Sequence, residues 1–296
     1  MYQSHISIIF HQIMINIISP LISIVRLSNV VMTAAAVFLG IWLTQSNFIT
    51  LNTLFLMTAA MCAAAYGNVI NDILDIKSDR VSHPNRPLVN GTMSVRAAVI
   101  FAVLLVTGSL LSAYHASLFH LKAALIPVIL LTLYSIYFKR TPIIGNIIVA
   151  ALVAYALLFG SLPHPQTKIL ILPAVLAFLL NFCREIVKDI EDIGGDKAAG
   201  FTTTANLPLN TLKTVLLVTA VVYSSILFIP SLVLRDFGMI YTVICLFAVL
   251  TLHIIWVNIV LKTDWNSGAN LNKISKILKF EMLAGLLALA VDRIVV

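Results

Sequence analysis

The chain has 296 residues, of which 60% are hydrophobic and only 10% are charged, and its mean hydropathy is +1.02. So much apolar surface exceeds what an ordinary soluble domain can bury, so the composition excludes that class and indicates a polytopic membrane protein. The net charge of +7 is interpreted as a bias towards the membrane surface, and nothing in the sequence suggests binding to nucleic acid.

The amino-terminal segment comes first in chain order. Residues 1–21 lack a basic start and are interrupted by polar side chains, which argues against a cleaved signal peptide and predicts an amphipathic lead-in helix. Windows of about 20 residues then give nine candidate transmembrane helices. These lie near 22–43, 51–73, 96–114, 122–138, 143–162, 169–191, 212–231, 238–261 and 277–296. The sequence thus predicts an all-α bundle, with residues 1–296 forming a single integral-membrane domain.

Lys and Arg are unevenly distributed over the predicted loops. If the amino terminus is cytoplasmic, fifteen of the nineteen basic residues lie on or near the cytoplasmic side. Cytoplasmic loops of membrane proteins carry such an excess of positive charge, so the pattern predicts a multi-pass protein of the cell membrane with a cytoplasmic amino terminus. Four of the fifteen are remote from any acidic motif and are interpreted as markers of orientation: Lys262, Lys273, Lys276 and Lys279.

Two short segments contain eight of the twelve acidic residues. "NVINDILDIKSD" (68–79) and "EIVKDIEDIGGD" (185–196) share the pattern D-x-x-D-x-x-x-D. The shared positions are Asp72, Asp75 and Asp79 in the first segment and Asp189, Asp192 and Asp196 in the second, preceded by Asn68 and Glu185 respectively. On a helix these positions fall within an arc of roughly 60°, so each segment predicts a one-sided stack of oxygen ligands.

Carboxylates packed in this way repel one another and are costly at a membrane boundary unless cations neutralise them. Hard divalent ions suit such ligands, and Mg²⁺ commonly combines a few carboxylates with the oxygens of a phosphate substrate. The two stacks therefore predict a cytoplasmic site that holds Mg²⁺ ions around a diphosphate. The pair Gly194 and Gly195 predicts that the second helix ends before Asp196, which then acts from a loop.

Further motifs accompany the acidic segments. "NDILDIKSD" (71–79) is followed by "HPNRPLVNG" (83–91), "YSIYFKRTPIIGN" (134–146) follows the fourth predicted helix, and "RLSNVVMTAAAVFLG" (26–40) lies in the first. In these stretches the chain resembles the UbiA superfamily of intramembrane prenyltransferases. The resemblance implies a bundle of nine transmembrane helices, Mg²⁺ as the cofactor and an allylic prenyl diphosphate as the donor substrate.

The second acidic segment bears on the acceptor. "REIVKDIEDIGGDKAAGFTTTA" (184–205) is similar to the pattern of the branch that makes digeranylgeranylglyceryl phosphate for archaeal-type ether lipids, although "FTTTA" departs from the usual ending. The resemblance implies transfer of a geranylgeranyl group to the hydroxyl of a prenylglyceryl phosphate. One alternative is an aromatic prenyltransferase of quinone biosynthesis, with 4-hydroxybenzoate or a naphthoate as acceptor. A more remote alternative is a cation transporter, because intramembrane acids also line ion pathways.

The resemblance also implies roles for individual residues. The expected metal ligands are Asn71, Asp72, Asp75, Asp79, Asp189, Asp192 and Asp196, and the expected catalytic carboxylates are Asp72, Asp75, Asp192 and Asp196. The expected substrate-binding residues are Arg26, Asn29, Asn68, Arg80, Arg86, Lys139, Arg140, Arg184 and Lys188, most of them basic side chains suited to phosphate. His83 is left open between capping a helix end and accepting a proton from the acceptor. The expected partners are the prenyl diphosphate, the lipid-phosphate acceptor and the lipid bilayer, and the sequence leaves protein partners undefined.

Overall fold

The computed structural model describes residues 18–295, and this part of the chain is helical and contains no strand. The α-helices are α1 (Ser19–Val25), α2 (Leu27–Thr44), α3 (Leu51–Leu74), α4 (Ile76–Ser82), α5 (Val95–Ala116), α6 (Leu118–Ile136), α7 (Ile144–Phe159), α8 (Ile171–Ala199), α9 (Leu209–Ile226), α10 (Ile229–Leu232), α11 (Met239–Ile244), α12 (Leu250–Leu261) and α13 (Gly268–Val295). A π-helical turn, Cys245–Val249, joins α11 to α12. Residues 1–17 of the predicted lead-in helix lie outside the described residues.

Seven helical segments in the described part of the chain are long and apolar enough to cross a membrane. They are Leu27–Thr44, Leu51–Leu74, Val95–Ala116, Leu118–Ile136, Pro165–Ala199, Leu209–Leu232 and Met239–Leu261. The fifth predicted span corresponds to α7, which is apolar but has only 16 residues. The ninth corresponds to α13, whose apolar sequence is interrupted by charged residues such as Lys279 and Glu281. An all-helical integral membrane protein is therefore confirmed, while seven spans rather than nine meet these criteria.

Several helices begin at hydroxyl side chains that the local sequence provides. Thr50 before α3, Ser94 before α5 and Ser117 before α6 each accept a hydrogen bond from the backbone N–H three residues later, at 3.1–3.2 Å. A side-chain oxygen in this position satisfies one of the free N–H groups at the start of a helix. The starts of these three helices therefore follow from local sequence.

Two of the predicted helices are each interrupted by a single charged residue. Arg26, with φ of 53°, separates α1 from α2, and Asp75, with φ of −95° and ψ of 5°, separates α3 from α4. A positive φ is unfavourable for a residue with a Cβ and persists only where surrounding contacts hold it. Both residues form ion pairs in the same region of the molecule, which accounts for the conformations that they hold.

The helix of the second acidic segment is not interrupted. α8 continues through Gly194 and Gly195 to Ala199 and ends at Gly200, whose φ is 76°. The prediction that this helix ends before Asp196 is therefore wrong. Gly195 is helical because α4 packs closely against it: a Cβ at Gly195 would lie 2.5 Å from the carbonyl oxygen of Ser78. Tertiary packing has overridden the weak helix propensity of glycine.

The largest cluster of buried apolar side chains joins α8, α9, α12 and α13. Within it lies a fully buried polar group that we call the Glu281 trio, composed of Glu281, His253 and Trp256. The carboxylate of Glu281 accepts hydrogen bonds from His253 Nδ1 and Trp256 Nε1, both at 2.8 Å, and the ring of Tyr223 stacks on His253 with centroids 5.0 Å apart. Buried polar groups are stable only when paired in this way, so the trio links α12 to α13.

Candidate active site

The two acidic segments meet where α4 packs against α8. Ser78 Oγ donates a hydrogen bond to Asp196 Oδ1 over 2.9 Å, and His83 Nε2 lies 2.9 Å from Asp192 Oδ1. This packing brings a first acidic cluster (Asp72, Asp75 and Asp79) to a second acidic cluster (Asp189, Asp192 and Asp196). These six carboxylates and Asn71 are called the acidic site.

Arginine side chains hold two carboxylates of the first acidic cluster. Arg26 Nη2 lies 2.6 Å from Asp72 Oδ1, and Arg86 Nη1 lies 3.1 Å from the same oxygen and 2.5 Å from Asp79 Oδ2. Both carboxylates are almost fully buried. Burial raises the pKa of the Asp79 carboxyl, and the neighbouring Arg86 guanidinium counteracts this effect. The Arg86 guanidinium therefore favours the ionised form of the Asp79 carboxyl, against the effect of its burial.

The rest of the first segment combines an ion pair with an unsatisfied oxygen. Asp75 pairs with Lys139, which lies in a short 3-10 turn after α6. Asn71 Oδ1, one helical turn before Asp75, is buried and has no hydrogen-bond partner within the described part of the chain. Most buried polar atoms are paired, and Asn71 lines the cavity described next. Its oxygen is therefore placed to contact a ligand.

The second acidic cluster has mainly uncharged partners. Asp189 Oδ2 accepts a hydrogen bond from Asn146 Nδ2 at 2.9 Å, and the amide oxygen of Asn146 accepts one from Thr204. His83 and Ser78 contact the other two carboxylates, as described above. Within the described residues, the second acidic cluster is therefore paired with fewer cations than the first.

Glu185 precedes the second acidic cluster by one helical turn and is itself paired with cations. Its carboxylate lies 3.1 Å from Arg184 Nη1 and 3.5 Å from Lys188 Nζ. The Nε atom of Arg184 is buried and has no hydrogen-bond partner within residues 18–295. Both basic residues line the same cavity as the acidic site, so part of their hydrogen-bonding capacity faces a space that a ligand can enter.

A cavity of about 320 Å³ connects the acidic site to the apolar interior of the bundle. Its lining residues on α8 extend from Pro173 to Asp196, which corresponds to about 35 Å of helix at 1.5 Å per residue. Asp79 and Asp192 line the polar part, while Val153 and Leu176 are among the apolar lining residues. Such a cavity accommodates an amphiphile that has an anionic head and a long apolar chain.

Most, but not all, of the predicted substrate-binding residues line the cavity. Seven of the nine line the cavity: Arg26, Asn29, Asn68, Arg86, Lys139, Arg184 and Lys188. Arg80 is exposed on α4, and Arg140 is exposed with its guanidinium 4.2 Å from the centre of the Phe201 ring. Neither is among the residues that line the cavity, so neither contacts the space that the acidic site borders.

Sequence reasoning missed several residues of this region. Asn146 ends the stretch "YSIYFKRTPIIGN", so the motif had signalled it, but its contact with Asp189 depends on the packing of α7 against α8. Ser78 lies inside the first acidic segment, and its hydrogen bond to Asp196 depends on the packing of α4 against α8. Lys279 was interpreted as a marker of orientation, yet it lines the cavity. His83 Nε2 contacts Asp192, and its backbone N–H donates to the Asp79 carbonyl at 2.8 Å, closing the end of α4.

The donor atoms of the acidic site suit Mg²⁺. Carboxylate and amide oxygens are the hard ligands that this ion prefers, and the unsatisfied oxygen of Asn71 is one such ligand. Within residues 18–295 no three acidic, histidine or cysteine side chains are grouped closely enough to hold one metal ion. In the first acidic cluster, Arg86 lies between Asp72 and Asp79, and Lys139 pairs with Asp75. The chemistry of the donors fits Mg²⁺, and its binding would require these ion pairs to rearrange.

Comparisons with known proteins identify the family and the fold. The UbiA prenyltransferase family model matches residues 31–277. A digeranylgeranylglyceryl phosphate synthase of Methanosphaera stadtmanae is 32% identical over 277 residues, which cover 92% of this chain and 98% of the relative. A solved structure of digeranylgeranylglyceryl phosphate synthase aligns with a TM-score of 0.73 and 27% identity, covering 94% of this chain and 99% of that one. A UbiA homologue of Archaeoglobus fulgidus bound to GPP and Mg²⁺ has the same fold, with a TM-score of 0.63, 18% identity and coverage of 92% and 99%.

Proposed function

The chain belongs to the UbiA prenyltransferase family, and we propose that it transfers a geranylgeranyl group from its diphosphate to the free hydroxyl of a prenylglyceryl phosphate, in ether-lipid synthesis. One observation carries the proposal: a single cavity combines the oxygen ligands of both acidic segments with a long apolar wall. The digeranylgeranylglyceryl phosphate synthase of Methanosphaera stadtmanae, which aligns over nearly its whole length, supports the choice of acceptor.

The proposed arrangement in the membrane has nine spans and a cytoplasmic acidic site. The nine spans are the seven apolar segments together with α7 and α13. Both added helices pack within the bundle: α7 packs on α2 and α8, and α13 packs on α8 and α12. The excess of Lys and Arg at the end of the bundle that carries the acidic site supports its cytoplasmic location in the cell membrane.

The acidic site is proposed to bind the diphosphate of the donor. Mg²⁺ held there by Asn71, Asp79, Asp189, Asp192 and Asp196 would offset the negative charge that develops on the leaving diphosphate. The other two predicted ligands, Asp72 and Asp75, hold the guanidinium and ammonium groups of Arg26, Arg86 and Lys139 in place. The N–H groups of these basic residues that are not used in ion pairs are free to donate to phosphate oxygens.

The apolar part of the cavity is proposed to protect the allylic cation that forms as the carbon–oxygen bond breaks. Its walls are largely Ala, Leu, Val and aromatic side chains from helices of both halves of the bundle. Exclusion of water prevents hydrolysis of the cation and leaves the acceptor hydroxyl as the available nucleophile. The acceptor oxygen then forms the new ether bond and loses its proton.

The test uses purified protein, radiolabelled geranylgeranyl diphosphate and Mg²⁺, with either geranylgeranylglyceryl phosphate or 4-hydroxybenzoate as acceptor. We expect a metal-dependent product with the glyceryl phosphate lipid, and loss of that product in Asp192→Ala. Product formed only with 4-hydroxybenzoate would show that the proposed acceptor is wrong, while the proposed prenyl transfer would stand. Absence of any product, combined with cation uptake into vesicles containing the protein, would overturn the proposal in favour of a transporter.

A further inference from the structure

Lys279, on the middle of α13, reaches away from its own helix to the start of α2. Its Nζ donates to Ser28 Oγ at 2.8 Å and to Asn29 Oδ1 at 3.3 Å, and α13 packs against α2 and α8 in this region. Both accepting groups are neutral. Within the described residues, no carboxylate therefore pairs with the Lys279 ammonium group.

Arg184, on α8, brings a second cation to the same place. Arg184 and Lys279 line the same cavity, and their helices α8 and α13 pack against each other. Arg184 and Lys188 share the carboxylate of Glu185, and within residues 18–295 Lys279 hydrogen-bonds only to neutral oxygens. The buried Nε of Arg184 has no partner within residues 18–295 and so retains a hydrogen to donate.

The face of α13 that carries Lys279 continues as an apolar stripe. Met282, Leu286 and Leu289 follow Lys279 at spacings of three, seven and ten residues, and all four line the cavity. Residues at these spacings share one side of a helix. A ligand whose anionic group meets Lys279 can therefore lay a hydrocarbon chain along the same helix.

We infer that Lys279 and Arg184, with Ser28 and Asn29, form a second anion subsite, which binds the phosphate of the acceptor lipid separately from the donor diphosphate at the acidic site. The inference rests on the proposed function and names the residues that recognise its second substrate. A phosphate monoester carries about −1.5 to −2 charges at neutral pH, which matches the surplus of basic residues here. The acidic site lacks such a surplus, so the two phosphorylated substrates are distinguished by the charge that surrounds each head group.

The test compares Lys279→Met with Lys276→Met, which removes the same charge from an exposed position one turn earlier on α13. Loss of a hydrogen bond to a charged group corresponds to about a 10- to 100-fold change in affinity. We expect Lys279→Met to raise the KM for geranylgeranylglyceryl phosphate by that factor, with the KM for geranylgeranyl diphosphate changed less than about twofold. Lys276→Met should behave as wild type, and Lys279→Arg should recover most of the loss.

A binding measurement without donor provides a readout apart from activity. Wild type should bind geranylgeranylglyceryl phosphate more tightly than neutral geranylgeranylglycerol, and Lys279→Met should lose this preference. If Lys279→Met does not fold, the same measurements are made on Lys279→Gln, which keeps a polar end for Ser28 and Asn29.

The outcomes separate this inference from the proposed function. An unchanged acceptor KM in an active Lys279→Met enzyme would overturn the subsite and leave the proposed function standing. A rise in the donor KM instead would assign Lys279 to the diphosphate site and also overturn the subsite. Failure of wild type to bind or prenylate the phosphate lipid would overturn both.

Discussion

The acidic site and the Glu281 trio both place ionisable groups inside an apolar bundle, but they satisfy those groups differently. In the trio, both oxygens of one carboxylate accept hydrogen bonds at 2.8 Å, and Glu281 is fully buried. In the acidic site, Asp79, Asp189, Asp192 and Asp196 line a cavity together with Asn71, whose amide oxygen has no partner within residues 18–295, and Asp192 keeps 28% of its side-chain surface exposed. The trio is complete without a ligand, whereas the acidic site is not.

The degree of pairing distinguishes a structural polar group from a functional one. A matched set of donors and acceptors gains nothing from a ligand and contributes to the packing of helices. An excess of charge or an orphan oxygen beside a cavity leaves binding energy available to a ligand. Substitutions in the acidic site should therefore affect catalysis most, and substitutions in the trio should affect stability most.

The largest expected effect comes from Asp72→Asn, which removes the charge that holds both Arg26 and Arg86. Loss of one such electrostatic contribution typically lowers a rate by about 10²- to 10³-fold, so we expect prenyl transfer to fall by about that factor. The thermal transition in detergent should remain cooperative. Asp236→Asn, at an exposed position, is the matched control and should retain full activity; comparable loss in both variants would contradict the role of Asp72.

Substitutions of the adjacent residues Lys139 and Arg140 should have very different effects on the rate of prenyl transfer. Lys139→Met removes the partner of Asp75 and a cavity-lining cation, and should lower the transfer rate by about 100-fold. Arg140→Met removes a side chain that stacks on Phe201 outside the cavity and should change the rate less than about threefold, since an exposed cation–π contact is worth about 0.5–1 kcal/mol. Steady-state rates with saturating donor measure both, and equal losses would mean that Arg140 also reaches the substrate.

In the trio, Glu281→Leu should mainly reduce stability. It leaves the N–H groups of His253 and Trp256 buried without an acceptor, which costs about 1–3 kcal/mol for each unsatisfied group. We expect a lower midpoint of thermal unfolding, with transfer activity below that midpoint retained within about threefold. Glu281→Gln keeps one acceptor and should lose less stability. A severe loss of activity in a fully folded Glu281→Gln protein would assign the trio a role in the reaction.

The smallest effect is expected where the two acidic segments touch. Gly195→Ala places a methyl group 2.2 Å from Ser82 Oγ and 2.5 Å from the Ser78 carbonyl oxygen. Overpacking of this kind costs about 1–3 kcal/mol, so stability should fall, and activity should fall with it as α4 moves from α8. Gly194→Ala is the control, because its Cβ meets no atom within 4 Å and alanine raises helix propensity by about 1 kcal/mol. Equal effects of the two substitutions would argue against tight packing at Gly195.

The sequence allowed the acidic site to be predicted more fully than its surroundings. The repeated D-x-x-D-x-x-x-D spacing predicts a one-sided stack on each helix, and the three aspartates of the unbroken α8 do line one cavity. In the first segment the helix breaks at Asp75, and packing of α4 against α8 brings the two segments together. Spacing does not reveal which helices become neighbours. The reach of Lys279 to α2 and the contact of Asn146 with Asp189 depend on such pairings.

Helix propensity alone led to one wrong prediction, namely that α8 ends before Asp196. Gly194 and Gly195 weaken a helix in isolation, but close packing against Ser78 requires a residue without a Cβ and keeps α8 intact. Arg80 and Arg140 were also predicted to bind substrate because they lie next to the motifs. Both are exposed outside the cavity, since neighbouring residues in a chain can project in different directions.

The ion pairs of the first acidic cluster also bear on how the protein is made and handled. Asp72, Asp75 and Asp79 are matched within the same chain by Arg26, Lys139 and Arg86. Internal counter-charges of this kind lower the cost of inserting acidic residues next to the hydrocarbon core. We therefore expect chelators used during extraction to inactivate the enzyme without unfolding it.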